Sequence, residues 1–473
     1  MNLERFNQKI TTKVICIIAI FLWGFVALGA LWMGATSLMN SRVLLVVITF
    51  IILIVITMIS LLLSKYLSIR QVIGIMLMIS FIVKLIWIIK VPTQPSSDFL
   101  VLHKASLRAA NGDFSFMQNN YFLNWPYQLG FVLYQSMIIK FLGHSIMIIK
   151  MINIILSLAT TYLVFLTGKQ LFNEKVGLIG LIIMALYPQY IFFSSVLTNQ
   201  YIATFCFYLG FYLLIKYHTW PQYLMSGIFL GLGNIVRPLG PLVLIAVFLF
   251  IVFYKNKNSY HKRWLTKIIL IIALVGGYQF MTVGTNVIIQ TTHISQYGLI
   301  NRSNTWKFVT GLNYETTGTY SNQDLEVLDR YPIGLKRDAV GKKLIKERLT
   351  NKFKIVKLFM KKSLAMWSYR DSALEWSNLK QFVSLNIYQG TLLYQTIFYA
   401  LMLSMSIVGI IATMIKKKTE PMLFIIVMIG YFLVHWLIEI QTRYRFFIMP
   451  AILLFSAVGI MSMYKWIKNR KVN

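Results

Sequence analysis

Stretches of apolar residues long enough to cross a bilayer as one helix recur from Val14 to Met463, each closed by a short polar or basic cluster. Threaded in order, they predict spans at 14–36, 43–64, 72–91, 146–168, 177–198 and 201–217, then two short spans within 222–254. The last four fall at 265–283, 388–414, 420–438 and 446–464. The 222–254 stretch divides at Arg237-Pro238-Leu239-Gly240-Pro241, where proline removes a helix donor and glycine permits a turn. The apolar segment from Tyr127 to Leu142, followed by Gly143-His144, is read as an interfacial helix, because counting it as a span would upset every later crossing. The pattern predicts an all-α polytopic membrane protein of about 12 helices. It has four parts: an N-terminal hairpin over 1–71, a core over 72–283 with a first outer loop at 92–145, an extracytoplasmic region over 284–387, and a three-helix segment with a basic tail over 388–473.

Composition excludes a soluble fold. With 58% hydrophobic and 13% charged residues, too little polar surface exists to cover the apolar mass in water. The formal charge of +32 would suit nucleic acid, but much of it sits in short clusters beside the apolar runs, the pattern that orients membrane helices. Arg5, Lys9, Lys13, Lys65, Arg70, Lys255, Lys257 and Lys416 to Lys418 then fall on the cytoplasmic side, and both termini with them. Acidic residues took no part in this threading, yet of 14 only Glu4, Glu174 and Glu420 fall inside. That bias fits a working surface on the outer face, although long polar loops carry more charge of every kind. Cys16 and Cys206 lie in apolar runs and offer neither a disulfide framework nor a cysteine metal site. The first apolar run, reaching about Ala35, is longer than a signal-peptide core of roughly 7 to 15 residues and is read as a helix. Between Leu344 and Leu364, apolar residues at helical spacing among lysines describe an amphipathic helix, either on an anionic outer leaflet or presenting a solvated lysine face.

Asp98 is the sharpest candidate for chemistry. It follows an outward span by a few residues, in a segment whose prolines and serines stop the helix, so its carboxylate lies near lipid headgroups and is reachable from outside. That position suits a general base acting on an acceptor hydroxyl, and equally an Asx turn or a helix N-cap. Arg237, and Arg443 with Arg445, meet the same outer plane. They either snorkel to headgroups or hold a lipid phosphate through bidentate hydrogen bonds. Glu439 stands one helical turn before Arg443 and can orient it.

The ordered features Ser97-Asp98, Asn111-Gly112-Asp113, Trp125-Pro126-Tyr127, Phe141-Leu142-Gly143, Tyr187-Pro188, Arg237-Pro238 and Arg443-Tyr444-Arg445 resemble the family-39-type glycosyltransferases of the membrane GT-C class. That family includes protein O-mannosyltransferases and the lipid A aminoarabinose transferase. The resemblance runs over roughly 72–464, with the first two spans as an added hairpin. It implies a polyprenyl-phosphate-sugar donor, Asp98 as catalytic base, Arg237, Arg443 and Arg445 on the donor phosphate, and transfer with inversion. In one place the chain departs from the pattern: where many relatives carry an acidic residue after the Tyr-Pro segment, it has Thr198-Asn199-Gln200. The Asn199 and Gln200 amides can hydrogen-bond a sugar or a metal-bound water, but supply no second carboxylate. Asp113 could compensate, although Asn-Gly-Asp is also a turn signature. His103, Tyr127, Glu439 and Tyr444 complete the candidate substrate contacts, with polar loop structure and an aromatic membrane belt as the plainer accounts of His103 and Tyr127. No cofactor is required by these residues, and a divalent metal ion is the one they leave open.

The expected partners are a polyprenyl-phosphate-linked sugar, an acceptor that is a cell-envelope polymer or a protein, and membrane lipids, with no nucleic acid. The expected location is the cell membrane, with an extracytoplasmic site. A secondary transporter or lipid flippase is the rival from another class, and it would set its ionisable residues near the midplane rather than at one edge.

Overall fold

The computed structural model describes residues 3–39, 43–254 and 260–470. Lys255 and Lys257, which entered the charge threading, lie outside the described residues. The described chain is built from helices and contains no strand. Six helices are long and apolar enough to cross a membrane: Gln8–Thr36, Ile69–Lys90, Ile146–Leu171, Trp264–Thr291, Leu385–Ile415 and Met449–Arg470. These make the chain a multi-pass membrane protein. Gln200–Lys216, Gly240–Tyr254 and Met422–Leu437 are shorter apolar helices on the other expected spans.

Two expected elements take a different form. The span expected at 177–198 is Glu174–Ala185 followed by Pro188–Ser195, bent by 52°. Pro188 cannot donate back across the break, and the amphipathic stretch at 344–364 is likewise divided. It forms Leu335–Arg348 and Lys352–Trp367, because the Asn351 side chain caps the second helix by accepting from the Lys354 amide at 2.9 Å. Phe353, Val356 and Met360 are exposed on this second helix, whereas Lys362 turns inward. Its ammonium donates to the carbonyls of Gly311, Trp436 and Ile438, tying three elements together.

Close backbone contact holds the bundle. A Cβ on Gly409 would lie 1.9 Å from the Phe455 carbonyl oxygen, and one on Gly459 would lie 2.0 Å from that of Met405. The two helices therefore touch along a seam that admits no side chain at either position. Gly227 and Gly277 form a second reciprocal pair, with Cβ positions 2.0 and 2.1 Å from carbonyl oxygens of the facing helix. The first helix packs one face on the bundle and leaves the other, with Phe21, Leu28 and Trp32, exposed: Trp23 is fully buried against Trp367 and Phe432, and the Ser368 hydroxyl donates to the Val26 carbonyl.

At one end, four pieces of chain converge. They are the helix Ser97–Ala110, the turn Arg237 to Leu239, the 3₁₀ segment Thr442–Phe447 and the polar region beyond Thr291. The polar region is fastened by backbone bonds, from the Glu439 amide to the Lys307 carbonyl and from the Ile440 amide to the Gly318 carbonyl, both 2.9 Å.

Candidate active site

The convergence encloses a cavity of about 430 Å³, within the usual range for ligand sites of roughly 300–1,000 Å³. Asp98, Tyr127, Asn199, Gln200, Arg237, Glu439, Arg443 and Tyr444 all line it, although they come from five separate stretches of sequence. A larger space of about 1,170 Å³, bordered by the Ile69–Lys90 and Leu385–Ile415 helices, is mostly apolar and holds no carboxylate. Size therefore does not mark the place where chemistry is possible.

Asp98 stands in the first turn of its helix, directly after Ser97, whose φ of +49° turns the chain sharply out of the preceding Pro-Ser segment. The carboxylate is about half exposed, and its closest cation is an Arg443 guanidinium nitrogen at 3.6 Å. That distance is an ion pair rather than a direct hydrogen bond, so no arginine donor occupies a carboxylate oxygen.

Arg443 is buried beside two aromatic rings that touch each other, its guanidinium 4.5 Å from the Trp376 centroid and 5.3 Å from that of Phe99. Its Nη1, and Nε of Arg237, are buried without an acceptor among the described residues. Two neighbouring amides hold these arginines. Gln200 Nε2 donates to the Arg443 carbonyl at 2.9 Å. Asn199 Nδ2 donates to the Val236 carbonyl at 3.2 Å, while its Oδ1 accepts from Arg237 Nη1 at 3.3 Å. The ring of Tyr444 lies among three cations, with Arg237 at 5.1 Å and Lys307 and Arg443 each at 5.7 Å from its centroid.

Glu439 is buried and paired with Lys307 Nζ at 2.6 Å, and its second oxygen accepts from Gln441 Nε2 at 2.6 Å. Burial pushes its carboxyl up, but the Lys307 charge and these hydrogen bonds outweigh that and hold it below the ordinary value.

Three expected site residues lie elsewhere. Asp113 is exposed at a turn, gripped by Arg108 at 2.7 Å and by the amide and hydroxyl of Ser115, and it is not among the cavity lining. The Arg108 and Ser115 contacts keep its carboxyl well below the usual range. His103 is buried on the face of its helix near Gln135, and burial lowers its imidazole pKa from the ordinary value. Arg445 is fully buried, stacked 4.6 Å from the Tyr399 centroid, and donates to the Met366 and Tyr369 carbonyls. It anchors the chain between Met366 and Tyr369 instead of lining the cavity.

Lys307, Asn301, Asn234, Tyr278 and Tyr431 line the cavity without having stood out in the sequence. Lys307 and Asn301 belong to the polar region, where nothing in the local pattern separates them from their neighbours. Among the described residues, no group of three or more His, Cys, Asp or Glu side chains is arranged to hold a metal ion.

Residues 129–278 match the family model described as dolichyl-phosphate-mannose-protein mannosyltransferase, a stretch that includes Asn199, Gln200 and Arg237. On this match, the chain resembles the membrane glycosyltransferases of the GT-C class, in agreement with its motifs. An Archaeoglobus fulgidus oligosaccharyltransferase, solved in the apo form, is similar over 84% of this chain and 52% of its own, at 13% identity and a TM-score of 0.44. The chain thus spans about half the length of that protein. No curated protein matches.

Proposed function

We propose that the protein transfers a sugar from a polyprenyl-phosphate donor to an acceptor hydroxyl, on the extracytoplasmic face of the cell membrane and with inversion at the anomeric carbon. The observation that carries this is the meeting of a weakly engaged carboxylate, Asp98, with Arg237 and Arg443 in one cavity at the end of the bundle. The acceptor hydroxyl gives its proton to Asp98 as its oxygen bonds to the anomeric carbon. The bond from that carbon to the phosphate oxygen breaks, and its electron pair leaves on the phosphate. The guanidinium donors meet the charge that develops there, and they are held in advance by Asn199 and Gln200. Tyr127 and Tyr444 present aromatic surface to the sugar.

Charge supports a monophosphate donor. The lining carries three basic residues, Arg237, Lys307 and Arg443, against Asp98 and Glu439, an excess of one positive charge. A sugar phosphodiester brings one negative charge and balances it, whereas a diphosphate brings two. The acceptor is a hydroxyl of a cell-envelope polymer or of a protein.

The test is Asp98→Asn in a purified, reconstituted transfer assay with a polyprenyl-phosphate sugar. Asparagine preserves shape but does not take a proton at neutral pH, so turnover is expected to fall about a hundredfold or more, with donor binding retained. Transfer within a few fold of wild type at normal abundance removes Asp98 from the role of base.

A further inference from the structure

We propose that Lys307 is a third phosphate-binding residue of this cavity, held in place by Glu439; this rests on the donor reading above. Lys307 belongs to the short helix Trp306–Gly311 of the polar region. Its carbonyl accepts from the Glu439 amide at 2.9 Å, so backbone and side chain are both registered against the same residue.

The division of labour within the ion pair follows from exposure. The Lys307 side chain is 35% exposed and lines the cavity, whereas that of Glu439 is 3% exposed and has both oxygens occupied, by Lys307 and by Gln441. An ammonium has three N–H donors. One is committed to Glu439, and the Tyr444 hydroxyl at 3.5 Å takes at most a weak share of another. Glu439 therefore acts as a holder, and Lys307 keeps donor capacity facing the cavity.

Three cations around the ring of Tyr444 repel one another, and two of them bury N–H groups without an acceptor. An anion lying among them relieves both costs.

The test measures binding rather than turnover, with farnesyl phosphate as probe and farnesol as its uncharged control, on the purified full chain in nanodiscs. Lys307→Met is expected to weaken farnesyl phosphate about tenfold to a hundredfold and to leave farnesol unchanged, with Lys307→Arg losing less. Because Lys307→Met leaves Glu439 buried and unpaired, the double variant Lys307→Met/Glu439→Gln is measured beside it and is expected to show the same loss. Glu439→Gln alone is expected to tighten farnesyl phosphate, a gain that disappears in the Lys307→Met background. If the folded double variant keeps wild-type preference for farnesyl phosphate while Arg443→Ala loses it, Lys307 is structural only and the donor reading stands. If the wild-type protein shows no preference for farnesyl phosphate over farnesol, the phosphate site itself falls and Lys307 with it.

Discussion

Asn199 and Gln200 occupy the loop at which the resembled family often carries an acidic residue, and their contacts give the amides a physical purpose. Each reaches a different arginine, Asn199 through the Arg237 guanidinium and the Val236 carbonyl, Gln200 through the Arg443 backbone. A carboxylate at 199 would pair with Arg237, cancel its charge and lose the donor to Val236. Asn199→Asp is therefore expected to raise the donor KM about tenfold, the worth of roughly one charge-assisted hydrogen bond, while the acceptor KM stays within about twofold. Steady-state kinetics with each substrate varied in turn checks this, and an unchanged donor KM separates Asn199 from the phosphate. Aspartates at 98 and 113 diverge for an equally local reason. The latter is held by Arg108 and Ser115 within its own turn, and the former has no short hydrogen bond among the described residues to occupy it.

Between helices, contact distance sets what substitutions the bundle tolerates. Gly409 faces the Phe455 carbonyl so closely that an added methyl would sit at 1.9 Å, and the obstacle is backbone, which cannot swing aside. Gly74 lies in the helix Ile69–Lys90 with nothing within 4 Å of its Cβ position. Gly409→Ala is expected to lower stability by roughly 1–3 kcal/mol through overpacking. Gly74→Ala is expected to be neutral, or to stabilise by up to about 1 kcal/mol through helix propensity. Thermal melts of the two variants in the same detergent compare them directly. Equal melting temperatures would mean that the Gly409 seam yields more easily than its geometry indicates.

At the level of the whole molecule, the charge threading sets the cavity, the polar region and Thr442 on one side of the membrane and Lys417 on the other. In the fold, Glu439 bonds to Lys307 and Thr442 to Ser372 near the cavity, while Lys418 donates to the Leu171 carbonyl at another junction. Which end faces outward is a matter for labelling. Cysteines introduced at Ser96 and Asn322 are expected to react with an impermeant thiol reagent applied to intact cells, and one at Lys417 is expected not to react. Cys16 and Cys206 are buried, so the native chain adds little background. Labelling of position 417 with protection of positions 96 and 322 would invert the topology and remove the extracytoplasmic site.

Long apolar runs were enough to foresee the six helices long enough to cross a membrane, since an apolar stretch of sufficient length has one stable form in lipid, with its backbone hydrogen bonds closed internally. The break at Arg237-Pro238 was equally legible, because proline and glycine act on their own backbone. Asp98, Arg237 and Arg443 stood out for being charged at the edge of apolar runs. Their joint presence in one cavity, with Tyr127, Glu439 and Tyr444, depends on helix packing that no local pattern encodes. Lys307 stayed hidden among the many lysines of a polar region until a backbone bond to Glu439 brought it to the wall of the site. Arg445 carried the same chemical promise as Arg443, and the Met366 and Tyr369 carbonyls that engage it, far off in the chain, were visible only in three dimensions, whereas Asp113 is engaged within the turn that Asn-Gly-Asp announced. Sequence thus determined which segments are long and apolar enough to cross a membrane, because that follows from the transfer of each segment into lipid. Tertiary structure alone decided which charges face the same space and which are already satisfied, because that depends on contacts between residues far apart in the chain.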